Sequence, residues 1–140
     1  MLALPSYLAG HVSRISHRTL VDALAEQSLR LPHFAVLAGL LDLGPSAQHE
    51  LADRLRLNRS HLVGYLDDLE RGGYVTRERD PGDRRRQQVR LAKSGTTLAT
   101  ELVQIAKESE ARHLAVLTAS ERRTLTELLR RVVVTDDEAQ

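Results

Sequence analysis

Apolar residues recur at helical spacing along most of this chain. Leu62, Leu66 and Leu69 lie four and three residues apart, which predicts a helix over residues 59–71 with one buried stripe. Asn58 stands just before this helix, and its side chain can accept a hydrogen bond from an unpaired amide of the first turn. Similar stripes predict further helices over residues 6–28, 32–43, 46–56, 94–117 and 118–134. The pattern therefore predicts a mainly α-helical protein.

One stretch departs from the helical pattern. Two glycines follow the helix over residues 59–71, and glycine tolerates the left-handed backbone that commonly ends a helix. Residues 74–77 and 87–91 are then predicted as two short strands, and the residues between them contain a Pro-Gly turn. Helix, turn, helix and hairpin, in this order, predict a winged helix-turn-helix, with the hairpin as its wing.

Positive charge is concentrated in and around the predicted wing. Residues 71–93 contain eight Arg or Lys against three acids, whereas the whole chain has 20 basic and 19 acidic residues. A clustered surplus of this kind is typical of a surface that contacts DNA phosphates. The alternative is a solvated loop beside the solvated face of an amphipathic helix, but the tight turn favours guanidinium groups that point outward beside the helix.

The exposed face of the second helix and the wing supply the candidate contacts to double-stranded DNA. Residues in the first turns of such a helix usually touch base edges in the major groove, and a wing arginine suits a narrow minor groove, for which Arg84 near the tip is the candidate. The predicted DNA-binding residues are Ser46, Asn58, Arg59, Ser60, His61, Gly64, Tyr65, Arg79, Arg84 and Arg86.

These segments resemble the multiple-antibiotic-resistance regulator (MarR) family, over roughly residues 6–134. The most specific parts of the resemblance are residues 51–55 (Leu-Ala-Asp-Arg-Leu), 66–75 (ending Glu-Arg-Gly-Gly-Tyr-Val) and 80–85 (Asp-Pro-Gly-Asp-Arg-Arg). The chain departs from the family at Ala92, where a Ser or Thr usually caps the long fifth helix, so Ser94 becomes the alternative cap. The cysteine of the family's peroxide sensors is also missing.

The resemblance implies further properties. An aspartate late in the second helix typically pairs with a wing arginine in this family, and the matching positions are Asp67 and Arg85, whose ion pair would fix the angle of the wing. The family also implies a homodimeric transcription factor, most often a repressor, on a pseudo-palindromic operator. Many members release DNA when they bind a small anionic or phenolic molecule. The alternatives are a ligand-insensitive architectural DNA-binding protein and a winged helix that only contacts other proteins.

The helices outside the winged unit carry more apolar surface than that unit can cover. We therefore expect a single domain, residues 1–140, in which residues 32–93 bind DNA and residues 6–31 and 94–135 form dimerisation helices. The alternative is a monomeric helical bundle with its own core.

Polar residues on the first helix suggest an effector site. Arginine beside histidine can hold a carboxylate or phenolate through charge-assisted hydrogen bonds, and nearby apolar residues could form the wall. The candidate ligand-binding residues are His11, Arg14, His17, Arg18, Phe34 and Leu37. The alternative is that the arginines form ion pairs between subunits while the histidines face solvent.

Several classes of function are disfavoured. The chain has no cysteine, and its six histidines lack the i, i+4 spacing of a zinc site on one helix, so neither a metal nor a cofactor is expected. No glycine-rich phosphate loop or nucleophile motif is present, which argues against an enzyme. No apolar run is long enough to span a membrane and the first residues do not resemble a signal peptide, so a cytoplasmic location is expected.

Overall fold

The computed structural model describes residues 3–139, apart from the side chain of Arg84. The described chain is mainly helical, with one small antiparallel sheet, and this confirms the predicted fold class. The elements are α1 (Pro5–Glu26), α2 (Leu31–Leu43), β1 (Ser46–Ala47), α3 (Gln48–Leu55), α4 (Arg59–Arg71), β2 (Val75–Asp80), β3 (Asp83–Leu91), α5 (Lys93–His113) and α6 (Ala119–Ala139).

Helix α4 forms as its sequence predicts. The Asn58 side chain accepts hydrogen bonds from the backbone amides of Ser60, at 2.9 Å, and His61, at 3.2 Å. These bonds satisfy two amides that have no partner within the helix. The stripe of Leu62, Leu66 and Leu69 is fully buried, and the chain leaves the helix through Gly73, whose φ is +80°.

The wing differs from its prediction in two respects. Strands β2 and β3 are longer than predicted, because Asp80 pairs with Asp83 and only a two-residue turn separates them. Asp80 Oδ1 accepts a hydrogen bond from the Gly82 amide, at 2.8 Å, which supports this turn. Ser46 and Ala47 were predicted as the start of a helix, but they form β1, which pairs with β3 through Ser46 and Val89. The sheet order is therefore β1-β3-β2.

Helix α5 links the winged unit to the rest of the molecule by packing along α1 and α2. It begins at Lys93 with Ala92 at the N-cap position, so the predicted cap at Ser94 is wrong. The Ser94 hydroxyl instead donates to the carbonyl of Gly73, at 2.7 Å, and so ties the first turn of α5 to the end of α4. The helix ends at His113 and not at residue 117, because a 3₁₀ turn follows it.

Helix α6 is well capped but poorly covered. The predicted capping box forms: the Thr118 amide donates to Glu121 Oε1, at 2.8 Å, and the Glu121 amide donates to Thr118 Oγ1, at 3.1 Å. These bonds lower the pKa of Glu121. None of the 21 residues of α6 is buried. Within residues 3–139, no helix is both long enough and apolar enough to cross a membrane.

Candidate nucleic-acid interface

The first turn of α4 and strand β3 face each other across an open concavity of about 380 Å³. Its lining comes from the starts of α3 and α4 and from the wing, and it consists of Gln48, His49, Arg59, Ser60, Leu62, Val63, Arg85, Arg86 and Gln87. Three of these side chains were predicted as DNA contacts, namely Arg59, Ser60 and Arg86. The structure therefore places helix and wing candidates on one surface, with the positive end of the α4 dipole at its edge.

Arg59 and His61 are both exposed on the first turn of α4. The Arg59 guanidinium donates to the Asp53 carboxylate, at 3.2 and 3.3 Å, and the two side chains are 67% and 61% exposed. An exposed ion pair of this kind contributes little to stability, so Arg59 can exchange Asp53 for a phosphate or a guanine acceptor at small cost. Gly64 is exposed on the same helix, and a Cβ added there would meet nothing within 4 Å.

Tyr65 does not lie on the exposed face, so that part of the prediction is wrong. Its ring is half-buried against the core, and its centroid is 5.3 Å from that of His33 in an edge-on arrangement. The physical reason is that residue 65 follows Leu62 by three and precedes Leu69 by four. The buried stripe of α4 is therefore wider than its leucines alone indicate.

Two further candidates have protein partners. The Ser46 hydroxyl donates to the Gly44 carbonyl, at 2.8 Å. Arg86 is half-buried and donates from Nη2 to Glu50 Oε1, at 2.7 Å, so it ties β3 to α3 beside the concavity. Arg79 is exposed on β2. The side chain of Arg84, the candidate for the minor groove, lies outside the described residues.

The predicted ion pair between Asp67 and Arg85 is wrong. Asp67 instead accepts from Arg77 on β2, at 2.6 Å, and the same guanidinium donates to Glu70, at 3.0 Å. Arg77 pairs across the sheet with the buried Val89. Because Arg85 is four residues further along β3, it lies roughly 13 Å nearer the tip of the wing, beyond the reach of Asp67.

Arg77 is the residue that the sequence analysis missed. Its side chain is only 15% exposed, and the hydrogen bond that it donates holds the pKa of Glu70 below its ordinary value, while the pKa of Arg77 itself is raised. The alternation of a strand could have revealed it, because Arg77 lies two residues after the buried Val75 and so on the same face. Arg85, by contrast, is 94% exposed and lines the concavity, so it becomes a candidate DNA contact.

The structure brings together only half of the candidate ligand residues. Arg14, His17 and Arg18 line a shallow groove of about 370 Å³ along α1, which ends at Leu31 of α2. Leu37 is fully buried and Phe34 is half-buried against the same core, so neither forms a wall of this groove. His11 is exposed and lies outside the groove lining. Among residues 3–139, no three His, Asp or Glu side chains gather as ligands for a metal.

The known proteins that this chain resembles in sequence are transcriptional regulators. A sequence model of the MarR family matches residues 29–86. The transcriptional repressor NicR of Pseudomonas putida is 29% identical over 134 residues, which cover 93% of this chain and 85% of NicR. The transcriptional regulator PecS of Dickeya dadantii is 30% identical over 134 residues, which cover 91% of this chain and 81% of PecS.

Solved structures agree with the sequence comparisons. The PcaV transcriptional regulator of Streptomyces coelicolor, in complex with its natural ligand, superposes with a TM-score of 0.81 at 28% identity, covering 100% of this chain and 97% of PcaV. A mutant MarR from E. coli, complexed with operator DNA, superposes with a TM-score of 0.79 at 26% identity and covers 91% of each chain. Both similarities extend well beyond the winged unit.

Proposed function

The chain belongs to the MarR family of DNA-binding transcriptional regulators, and we propose that it acts as a homodimeric repressor on a pseudo-palindromic operator. The observation that carries this proposal is the open concavity, where the first turn of α4 and the wing present cations on one surface. A duplex has grooves that admit a helix and phosphates that attract arginine, so this surface has both the shape and the charge to bind one.

The residues at the concavity divide between base and phosphate contacts. Arg59 and His61 can donate to guanine acceptors in the major groove, and the Ser60 hydroxyl suits a base edge or a phosphate. Arg79 and Arg85 on the wing are placed to contact phosphates. Arg84 keeps its proposed role of entering a narrow minor groove, where negative potential favours arginine.

The proposed dimer uses the helices outside the winged unit. At the start of α1, Leu4, Tyr7, Leu8 and Val12 are between 38% and 55% exposed. On α6, the apolar stripe of Leu128, Leu129, Val132 and Val133 is between 46% and 70% exposed. A second copy could cover both faces. It would also place the two α4 helices about one helical turn apart, roughly 34–36 Å, to read both halves of a pseudo-palindrome. On this proposal residues 32–93 bind DNA and residues 6–31 and 94–135 form the dimer.

The proposed effector is a small anionic aromatic or phenolic molecule. The groove along α1 offers two guanidiniums, from Arg14 and Arg18, beside the imidazole of His17 and the apolar side chain of Leu31. Such a set can bind a carboxylate and pack against a ring. The similarity to NicR, which is named a repressor, and to PcaV, solved with its natural ligand, supports repression with ligand-induced release.

Gel-shift titrations test the DNA-binding proposal. Genomic footprinting of the purified protein first supplies an operator, and a scrambled duplex serves as the comparison. Tighter binding to the operator is expected, while equal affinity for both duplexes would instead favour an architectural protein. Arg84→Ala should weaken operator binding and flatten its dependence on salt, because binding with one cation fewer releases fewer counterions from the DNA. Arg112→Ala is the control. Arg112 lies on α5, roughly 28 Å from the end of that helix that follows the wing.

A second titration tests the effector proposal. 4-Hydroxybenzoate, as a representative anionic phenol, should release the wild-type protein from the operator. Arg14→Ala should remove this response and leave the affinity for the operator unchanged in the absence of the phenol. If 4-hydroxybenzoate releases Arg14→Ala as efficiently as it releases the wild type, the effector does not bind in this groove. If neither 4-hydroxybenzoate nor benzoate releases the protein from the operator, the proposed effector class is contradicted.

A further inference from the structure

His33 is a buried histidine whose two ring nitrogens both have partners. It lies in the first turn of α2 and is 2% exposed. The backbone amide of Arg30 donates to Nδ1, at 2.9 Å, and Nε2 lies 2.9 Å from Asp68 Oδ2 on α4. Since Nδ1 accepts a hydrogen bond from the Arg30 amide, the hydrogen of a neutral ring must be on Nε2, and Nε2 therefore donates to Asp68. The ring thus joins the start of α2 to α4 by a directional contact.

Residues of α4, together with Arg30 just before α2, surround this contact. Tyr65 packs edge-on against the imidazole, and the Arg30 guanidinium lies 6.0 Å from the centroid of the tyrosine ring. Arg71 donates to the second oxygen of Asp68, at 3.2 Å. The hydrogen bond from His33 is also the largest cause of the lowered pKa of Asp68. Asp68 is therefore held in one orientation by partners on two elements.

We propose that His33 is a positioning residue for DNA binding, which fixes the orientation of α4 by its hydrogen bond to Asp68. This inference rests on the proposed role of α4 in reading the operator. The apolar stripe of α4 sets its distance from the core, but leucine contacts are non-directional and allow the helix to rotate or slide. Asp68 is nine residues from Arg59, about 13 Å along the helix. A small rotation at Asp68 therefore moves Arg59 and His61 out of the narrow range of hydrogen-bond distances at a base edge.

Two substitutions separate this role from an ordinary structural one. In His33→Gln the amide nitrogen can occupy the position of Nε2 and donate to Asp68, while the acceptor for the Arg30 amide is lost. In His33→Asn the amide oxygen can occupy the position of Nδ1 and accept from Arg30, while Asp68 is out of reach. If His33 positions α4, His33→Asn should weaken operator binding roughly tenfold and His33→Gln by less than about threefold.

The opposite order would show that His33 only caps α2, and would overturn the proposal. Equal operator affinity for wild type and His33→Asn would overturn it as well. Wild-type protein that binds operator and scrambled duplex equally would instead overturn the proposed function, and the present inference with it. Thermal unfolding of each variant is measured in parallel, so that a loss of affinity is compared only between folded proteins.

Asp68→Ala provides a second measurement, which removes the same contact from the side of Asp68, where the side chain is 40% exposed. Removing a carboxylate near DNA should tighten binding if only charge mattered. Loss of the contact to His33 should weaken binding instead, again roughly tenfold. The double variant with His33→Asn should bind no more weakly than either single variant, because both remove the same contact. Tighter binding by Asp68→Ala, or additive losses in the double variant, would contradict the proposal.

Discussion

At the scale of single residues, Arg77 holds the wing against α4. Its guanidinium reaches Asp67 and Glu70 at 2.6 and 3.0 Å from a largely buried position. Arg77→Ala should lower the melting temperature by several degrees, because it leaves two carboxylates facing each other without their cation. Operator affinity should fall as well, since the wing loses its fixed angle. Thermal unfolding and gel shifts measure the two effects.

Arg85→Ala is the matched control for this prediction. Its side chain is 94% exposed and its nearest acid, Asp83, lies 3.5 Å away. Removing it should leave the melting temperature unchanged and reduce both operator affinity and the salt dependence of binding. The reverse result, in which Arg85→Ala destabilises the protein and Arg77→Ala does not, would favour the ion pair between Asp67 and Arg85 that the sequence predicted.

The lowered pKa of Glu70 leads to a prediction about pH. Its ordinary pKa is 4.5, and the hydrogen bond from Arg77 lowers it in the folded protein. The pair therefore stabilises the fold above pH 4.5, and this stabilisation is lost as the pH falls through the folded pKa. The difference in melting temperature between wild type and Arg77→Ala should be largest above about pH 5 and shrink toward about pH 3. A difference that stays constant over this range would show that the pair does not act through charge.

At the scale of elements, the close approach of α5 to Tyr74, in the turn between α4 and β2, depends on Gly95. A Cβ added at this buried glycine would lie 1.9 Å from the carbonyl oxygen of Tyr74. That carbonyl accepts a hydrogen bond from the Ala92 amide, at 2.9 Å, so the backbone at Tyr74 cannot move away without breaking this bond. Gly95→Ala should lower the melting temperature by ten degrees or more, or prevent folding, on the order expected of an overpacked core.

Gly64→Ala is the control, and it also tests the DNA interface. Space around Gly64 is open, and alanine favours a helix more than glycine does, so stability should stay equal or rise slightly. If the backbone of α4 approaches DNA here, the added methyl should weaken operator binding while the fold is kept. Unchanged operator affinity would place Gly64 outside the interface.

Local patterns predicted the helices and the position of the wing, because periodicity and capping act over a few residues. The leucine stripe of α4 and the capping box of α6 are examples. Contacts between residues on different helices and strands were not predictable in the same way, because they depend on how these elements pack against each other. Strand β1 has only two residues and exists through its pairing with Val89. The choice of Arg77 over Arg85 depends on strand register, and the contact between His33 and Asp68 joins residues 35 positions apart.

At the scale of the whole molecule, the sites divide between two regions that α5 connects. The concavity lies between α3, α4 and the wing, whereas the candidate effector groove follows α1 to the start of α2. Leu31 lines this groove, and two residues later His33 contacts α4. A ligand that displaces the start of α2 would therefore disturb α4 through a short and continuous path. This arrangement gives the proposed release of DNA a physical route within one protomer.

The apolar faces of α1 and α6 make the dimer the central prediction for the whole molecule. A helix of 21 residues with no buried residue gains little stability from packing within a single chain. Its ion pair from Asp137 to Arg56 is exposed and adds little. Sedimentation should therefore give a species of twice the 15.6 kDa chain mass at low micromolar concentration. A single species at the chain mass would contradict the dimer and favour a monomeric bundle.

Leu129→Glu should dissociate this dimer, because it places a charge in the middle of the apolar stripe of α6. Operator affinity should fall by a factor of a hundred or more, since a monomer contacts one half-site and loses the effective concentration of the second. Arg123→Glu changes the charge of α6 further but lies away from the stripe, on the side that includes Arg130, and should leave the dimer intact. If both variants remain dimers in sedimentation, the interface involves other surfaces. If Leu129→Glu becomes monomeric yet binds the operator as tightly as wild type, twofold recognition is wrong while the winged unit itself still reads DNA.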